Sequence, residues 1–171
     1  MKRVYKVLSI CVVALGLVCP GCMPSSTARL EKNKAIVRRL FDETSKGNWA
    51  ISNELLVPDY VWHQPGMPKP LTREESEQFM RTFLAAFPDR RLTIEDMIAE
   101  GDKVVTRYTG RGTHKGDFQG IPATGKEVSF TAISIARISK AKVVEEWEEW
   151  DALGFMLQLG AIPPIGEAGK K

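Results

Sequence analysis

Cysteine is scarce in this sequence, and all three cysteines, Cys11, Cys19 and Cys22, lie among the first 22 of its 171 residues. The rest of the chain therefore has no thiol for a disulfide framework, a thiolate metal site or a catalytic nucleophile. Histidine is rarer still, since only His63 and His114 occur. Neither belongs to an H-E-x-x-H pattern, so we expect structural histidines and no metal site.

Signatures of nucleotide binding and hydrolysis are absent as well. The chain has no G-x-S-x-G elbow, no P-loop and no dinucleotide-binding glycine fingerprint, which excludes the common hydrolase, phosphotransferase and redox classes. Any chemistry is therefore expected to need no cofactor. Lysine and arginine form no block in the folded part either, so a nucleic-acid partner is not expected.

The first 21 residues have the order of an export signal. Basic residues precede a twelve-residue apolar run at 7–18, which is shorter than the ~20 residues that span a bilayer as a helix. Cys22 behind Gly21 resembles the lipidated cysteine of bacterial lipoproteins. We expect residues 1–21 to be a lipoprotein signal and Cys22 to anchor an exported protein to the cell-envelope membrane. An ordinary cleaved signal, giving a secreted or periplasmic protein, is the alternative.

The remaining chain fits one domain. Removal of the signal takes away three of the 24 basic residues and none of the 21 acidic ones, so the mature chain carries equal numbers of both. Its length and its 43% content of hydrophobic residues are typical of a single globular domain. We assign residues 22–29 to a linker, residues 30–163 to the domain and residues 164–171 to a flexible tail.

Three segments in the first half of the domain have helical character. Apolar residues recur every three to four positions in residues 28–43, which predicts an amphipathic helix. Residues 49–56 predict a second, shorter helix. Thr72 and Glu75 have the spacing of a capping box, and the apolar stripe behind them predicts a third helix that ends at Pro88.

The second half has the pattern of two antiparallel hairpins. Strand-like runs at 92–99 and 104–114 flank one turn, and runs at 127–138 and 143–150 flank another. A last short helix is expected at 151–160. Helices followed by antiparallel strands predict an α+β fold. We expect a cone-shaped, barrel-like curved antiparallel sheet covered by about three N-terminal helices, with a hydrophobic pocket between the layers.

The last predicted strand carries most of the candidate functional groups. Successive side chains of a strand point to opposite faces of the sheet. One face of this strand is therefore expected to carry Val144, Glu146, Glu148 and Trp150, and the other Val143, Glu145, Trp147 and Glu149. Either parity directs two carboxyls toward the covered face. Burial there would raise a carboxyl pKa toward the range of a general base, whereas an edge position would leave the acids solvated. The spacing leaves both alternatives open.

Several stretches resemble one known family in order and spacing. They are F-P-D at 87–89, I-A-E-G-D-K-V-V at 98–105, G-T-H-K-G-D-F-Q-G-I-P-A-T-G-K at 112–126 and W-D-A-L-G-F-M-L-Q-L-G at 150–160. In these residues the chain resembles the SnoaL-like polyketide (ester) cyclases of the nuclear-transport-factor-2-like superfamily. The likeness implies a helix-capped cone that often forms a homodimer through its sheet.

The resemblance also implies a chemistry. In characterised members an aspartate on the last strand is the base of a cofactor-free intramolecular aldol closure of a polyketide methyl ester. Glu148 holds that position here and is one methylene longer, so we expect it to be the general base. Asp151 matches another acid of the family and is a second catalytic candidate. The pocket is expected to include His63, Trp62, Tyr60, Glu146 and Trp150.

Three functions remain open on the sequence. One is a cyclase-type enzyme acting on a small hydrophobic carbonyl compound. Another is a non-catalytic envelope lipoprotein that binds a small hydrophobic ligand, which export and the replacement of aspartate by glutamate favour. The third is an interaction module that binds a partner through the exposed sheet face, with Trp147 as its anchor if that side chain points outward.

Overall fold

The computed structural model describes residues 26–163. In chain order the helices of this part are α1 (Ser26–Ser45), α2 (Ile51–Leu55), α3 (Arg73–Ala86) and α4 (Ala152–Leu159), and the strands are β1 (Leu56–His63), β2 (Leu71–Thr72), β3 (Arg91–Glu100), β4 (Lys103–Thr113), β5 (Glu127–Ser139) and β6 (Lys142–Trp150). The expected signal, Cys22 and the tail 164–171 lie outside the described residues. Within residues 26–163, no helix has both the length and the apolar character needed to cross a membrane.

The six strands form one curved, open sheet in the order β2-β1-β6-β5-β4-β3. Together with the helices at the N-terminus, this sheet confirms the predicted α+β class. One pair differs from the expected antiparallel pattern, because β1 and β6 run parallel. Parallel neighbours need a long connection, and here β2, α3, the β3–β4 hairpin and β5 separate the two strands. Register shifts in the β1–β6, β3–β4 and β5–β6 pairs accompany the curvature.

Local sequence signals account for the helix boundaries, with one difference. The side chain of Thr72 accepts a hydrogen bond from the backbone N–H of Glu75, and the Glu75 carboxylate accepts one from the N–H of Thr72, so the predicted capping box is present. Helix α1 begins at Ser26, so residues 26–29, which the sequence assigned to a linker, are helical. Ala28 and its neighbours favour helix, and no proline follows until α1 has ended.

A β-bulge changes which face of the sheet the side chains at the start of β6 point to. Ile138 pairs with Val143, whereas Arg137 pairs with Glu145, which leaves Val144 as an extra residue. An extra residue reverses the alternation on its N-terminal side. Val143 is therefore fully buried in the core and does not lie on the outer face with Glu145, as simple alternation predicted.

The space between the helices and the sheet is filled by two apolar clusters. The first joins α1, α2, β1 and the start of β6, and it includes Val37, Leu40, Leu55, Tyr60, Trp62 and Val143. The second is dominated by aromatic rings, and it includes Phe83, Phe87, Phe118, Phe130 and Phe155. Phe41 packs against both clusters, and an open cavity lies where they meet.

Candidate active site

The cavity is lined mainly by apolar side chains from α1, α3 and the inner face of the sheet. It offers about 120 Å³ to the centres of water-sized molecules. Since one water needs roughly 10–15 Å³ on this measure, the space accommodates a small organic molecule. Its few polar groups include two acids of β6, Glu146 and Glu148, together with Arg90 and Tyr108. A concave apolar site with a few converging polar groups is typical of ligand binding.

Glu146 is the more deeply buried of the two acids, with 7% of its surface exposed. The hydroxyl of Tyr60 donates a hydrogen bond of 3.0 Å to its carboxyl. Burial raises the pKa of Glu146, and the hydrogen bond from Tyr60 offsets part of this rise. Burial and the neighbouring Glu146 in turn raise the pKa of Tyr60 well above its usual value, so this tyrosine remains a donor.

Glu148 lies two residues further along the same face. It keeps some accessible surface toward the cavity while protein atoms surround it on the other sides. Burial and the charge of Glu146 raise its pKa to about 8, against opposing effects from Tyr108, Gln64 and Arg90. The amide of Gln64 donates a hydrogen bond of 3.4 Å to its carboxyl. The rim alternative is therefore wrong for this residue, because Glu148 faces the cavity.

The polar residues of the cavity wall that the sequence did not predict include Tyr108, Gln64 and Arg90. Tyr108 could have been found, because β4 alternates and places it on the same face as the buried Val104. Its pKa is raised well above the usual value by burial and by the charge of Glu148. Gln64 follows the end of β1, and Arg90 follows Pro88 in a turn. Neither position belongs to a helix or strand whose side-chain periodicity can be read from the sequence. No local sequence pattern therefore predicts that these two side chains line the cavity.

His63 is not a pocket residue, contrary to the prediction. Its ring stacks on Trp147, with 5.3 Å between the ring centroids, and its Nε2 lies 2.9 Å from the Glu145 carboxylate. Arg137 donates a 2.6 Å hydrogen bond to the same acid. All four groups lie on the outer face of the sheet, because successive strand residues alternate and the neighbouring Trp62 faces inward. Tyr60, Trp62, Glu146 and Trp150 do line the cavity.

Asp151 does not line the cavity either. Its exposed carboxylate accepts a hydrogen bond of 2.8 Å from the backbone N–H of Gly154, which makes it the N-cap of α4. An acid at a helix N-terminus satisfies a free backbone donor and opposes the helix dipole favourably. This contact explains an aspartate here without a catalytic role.

His114 has a structural environment, as expected. It is fully buried, its ring stacks on Phe87 with 5.0 Å between the centroids, and its Nδ1 lies 3.1 Å from the hydroxyl of Thr124. The loop that follows His114 is held to the end of α3, because the backbone N–H groups of Lys115 and Gly116 both donate hydrogen bonds to the carbonyl of Ala86. The distinctive 112–126 stretch thus closes the aromatic cluster and supplies no cavity acid.

Metal ligation has no obvious place in the described part of the chain. Residues 26–163 contain no group of three or more His, Cys, Asp or Glu side chains positioned to hold a metal ion.

Comparisons with known proteins point to one family. A family model described as SnoaL-like polyketide cyclase matches residues 35–159. Curated proteins gave no match. Solved structures gave many, among them IdmH from Streptomyces antibioticus, provisionally described as a polyketide cyclase, with 31% identity and a TM-score of 0.69 over 75% of this chain and 98% of IdmH.

Two other solved structures are similar. AclR from Streptomyces galilaeus, provisionally described as a hydroxylase, has 27% identity and a TM-score of 0.72 over 78% of this chain and 99% of AclR. A protein from Acidithiobacillus ferrooxidans, provisionally described as a polyketide cyclase, has 31% identity and a TM-score of 0.69 over 77% of this chain and 96% of its own. The family model covers well over half of the sequence, and the chain therefore belongs to the SnoaL-like polyketide cyclase family.

Proposed function

We propose that the protein is a cofactor-free cyclase-type enzyme that uses Glu148 as a general base on a small hydrophobic carbonyl compound. One observation carries the proposal: Glu148 lies in an apolar cavity, where burial and Glu146 raise its pKa to about 8. A base whose pKa lies near the working pH is effective in proton transfer from carbon. Family membership supports the same reaction class.

The proposed step balances within the substrate. The Glu148 carboxylate takes a proton from a carbon flanked by carbonyls, and the electron pair of that C–H bond forms an enolate. The enolate carbon attacks a second carbonyl carbon of the same molecule, which forms the new C–C bond. The resulting alkoxide takes the proton back from Glu148, so the carboxylate base is regenerated and the product is an isomer of the substrate.

Donors for the developing oxyanion are available in the cavity wall. The indole N–H of Trp62 is buried and has no hydrogen-bond partner among the described residues, and the high pKa of Tyr108 keeps its hydroxyl protonated. Preorganised donors of this kind stabilise an enolate more strongly in an apolar site than in water. Tyr60 is less suited, because its hydroxyl already donates to Glu146.

Ring closure of polyketide-like methyl esters that carry a second carbonyl tests this function. Chromatography separates the open chain from its cyclic isomer. We expect Glu148→Gln to lower the rate by roughly 10²–10⁴-fold and Glu149→Gln, an exposed neighbour, to leave it unchanged. The rate with the wild-type protein should rise with pH through about 8, because the base acts when ionised. A wild-type rate in Glu148→Gln contradicts the assignment.

A binding protein is the second candidate. The apolar cavity holds a ligand equally well without turnover, and glutamate in place of aspartate at the base position favours this role. Ligands that bind the folded state raise its thermal stability. Members of the ester panel that raise the Tm without ring closure would identify a binding lipoprotein.

We also propose export and envelope anchoring through Cys22. The sequence order of basic residues, apolar run and Gly21-Cys22 supports this location. Replacement of Cys22 by serine should move the protein from the membrane fraction to the soluble fraction. An unchanged membrane fraction would instead indicate that Cys22 carries no anchor.

A homodimer formed through the sheet is a further proposal. Cross-strand pairing places Ile98, Val105, Ile135, Trp147 and His63 in one row on the outer face, which we call the outer row. Ile98 is 61% exposed, and Ile133 beside the row is 47% exposed. An exposed apolar patch of this kind commonly marks an interface. The same face is the one that the interaction-module alternative would use.

A further inference from the structure

Arg90 is a buried cation without an acidic partner. Only 7% of its surface is exposed, although arginine is almost never buried unless it is paired. None of the ion pairs among residues 26–163 includes it. Its protein contacts are one long hydrogen bond of 3.5 Å from Nη2 to the carbonyl of Thr44 and a position 5.5 Å above the Phe83 ring. Its Nε–H has no acceptor.

The guanidinium belongs to the wall of the cavity. Arg90 lines the same space as Glu148 and Tyr108, and the charge of Glu148 acts on it. In the part of the chain that the structure describes, no ion pair joins it to the two acids of β6; Glu146 accepts a hydrogen bond from Tyr60, and Glu148 accepts one from Gln64. Glu77, the other acid of the wall, pairs with Arg81 at 2.6 Å. A guanidinium stays protonated even when burial lowers its pKa.

We propose that Arg90 is the anion-recognition group of the cavity, and that the ligand presents it a planar pair of oxygens sharing one negative charge. A carboxylate has this chemistry, and so does the enolate of a 1,3-dicarbonyl. The planar donor fork of arginine matches either oxygen pair through two parallel hydrogen bonds. An uncompensated buried cation is costly, and such a ligand supplies the missing charge.

The inference deepens the proposed function and rests on it for the ligand class. An enolate formed by Glu148 would find its compensating charge across the same cavity. Arg90 would thus select substrates that are anionic or enolise easily over neutral isosteres. A failure of this inference can be told apart from a failure of the proposed function, because anion binding is measured with unreactive probes and ring closure is measured as turnover.

Two matched pairs of probes test Arg90 by calorimetry on the full chain at neutral pH. Trifluoroacetylacetone, an acyclic 1,3-diketone that is mostly ionised at this pH and whose two enolate oxygens can lie side by side, is compared with its neutral enol methyl ether. Benzoate is compared with methyl benzoate. We expect the wild-type protein to bind at least one anion about 10- to 100-fold more tightly than its neutral partner, as charge-assisted hydrogen bonds allow. The pair of probes that shows this preference identifies the anionic group of the ligand as an enolate or a carboxylate.

Variants assign the preference to the side chain. Arg90→Met should abolish it while the neutral probes bind as before, and Arg90→Lys should keep a reduced preference because it retains charge but loses the fork. Arg91→Met, the exposed neighbour, should behave as wild type. Equal binding of anion and neutral partner by the wild-type protein, or an unchanged preference in Arg90→Met, would overturn the proposal. If Arg90→Met fails to fold, Arg90→Lys against Arg91→Met decides the same question.

Discussion

Glu148 illustrates at the residue scale how a buried carboxyl group opposes stability. Its pKa is raised from 4.5 to about 8 by burial and by the charge of Glu146. The folded protein therefore holds this proton at pH values where the unfolded chain has released it. Between pH 4.5 and 8 the side chain is ionised in the unfolded chain but still protonated in the folded protein. The free energy of unfolding therefore falls as the pH rises through this range, and the loss is complete above pH 8.

Glu148→Gln should consequently stabilise the protein in a pH-dependent way. Glutamine stays neutral, so at pH 9 we expect the variant to exceed the wild type in free energy of unfolding by on the order of 3–5 kcal/mol. At pH 4.5 or below most of this advantage should vanish, because both side chains are then neutral. Urea denaturation at both pH values measures it. Glu149→Gln, with an exposed side chain, serves as the control, and an advantage that is independent of pH would contradict the raised pKa.

The sequence predicted the cavity acids better than the rest of the site. Alternation along β6 placed Glu146, Glu148 and Trp150 on one face, and the structure confirms that they line the cavity. Alternation failed at Val143, because a bulge is decided by pairing with β5 and not by local pattern. Arg90 could not have been found at all, since its burial depends on α1 and the sheet closing around a turn residue.

At the scale of elements, the β5–β6 hairpin has a strained turn. Lys140 and Ala141 connect the two strands with φ values of +48° and +62°. A two-residue turn with both φ values positive matches the twist of the strands, but it favours Asn and Gly over residues such as Lys and Ala. The predicted turn at 139–142 is confirmed in position, and its residues are suboptimal for their backbone.

Ala141→Gly should therefore stabilise the hairpin. Glycine removes the left-handed cost of roughly 1–2 kcal/mol, and its greater freedom in the unfolded chain offsets roughly 0.5–1 kcal/mol of that. We expect a net gain of about 0.5–1 kcal/mol, which is seen as a Tm rise of about 2–4 °C. Ala123→Gly is the matched control, because Ala123 is exposed and not among the residues with positive φ. Equal effects at both positions would argue against turn strain.

The distinctive 112–126 stretch also has its role at the level of elements. Asp89 accepts hydrogen bonds of 2.8 and 2.7 Å from the backbone N–H and hydroxyl of Thr113, and these contacts lower its pKa to about 2. Phe118 packs on Phe83 and Phe87. Two of the stretches that carried the family resemblance, 87–89 and 112–126, therefore hold the loop against the end of α3. They predicted the fold well for that reason, and they gave little information about the ligand.

For the whole molecule, the two faces of one sheet have different chemistry. The inner face presents two acids with raised pKa values to an apolar cavity. The outer face carries the stacked pair His63 and Trp147 beside ion-paired Glu145. Because strand residues alternate, β6 contributes to both faces at once. The ligand binding proposed for the inner face and the dimerisation proposed for the outer face can therefore be tested independently.

Self-association through the outer row is testable with paired surface substitutions. We expect the full chain to form dimers whose fraction rises with concentration in sedimentation experiments. Ile133→Lys should shift the equilibrium to monomer, because dimerisation would bury the lysine charge at the interface. Within one chain, pairing with Glu149 on the neighbouring strand helps the fold to tolerate the lysine. Leu153→Lys is the control, because Leu153 is an equally exposed apolar residue, at 54%, on α4. A monomeric wild type, or equal disruption by both variants, would place any interface elsewhere. Ring closure by monomeric Ile133→Lys at the wild-type rate would further show that each cavity is complete within one chain.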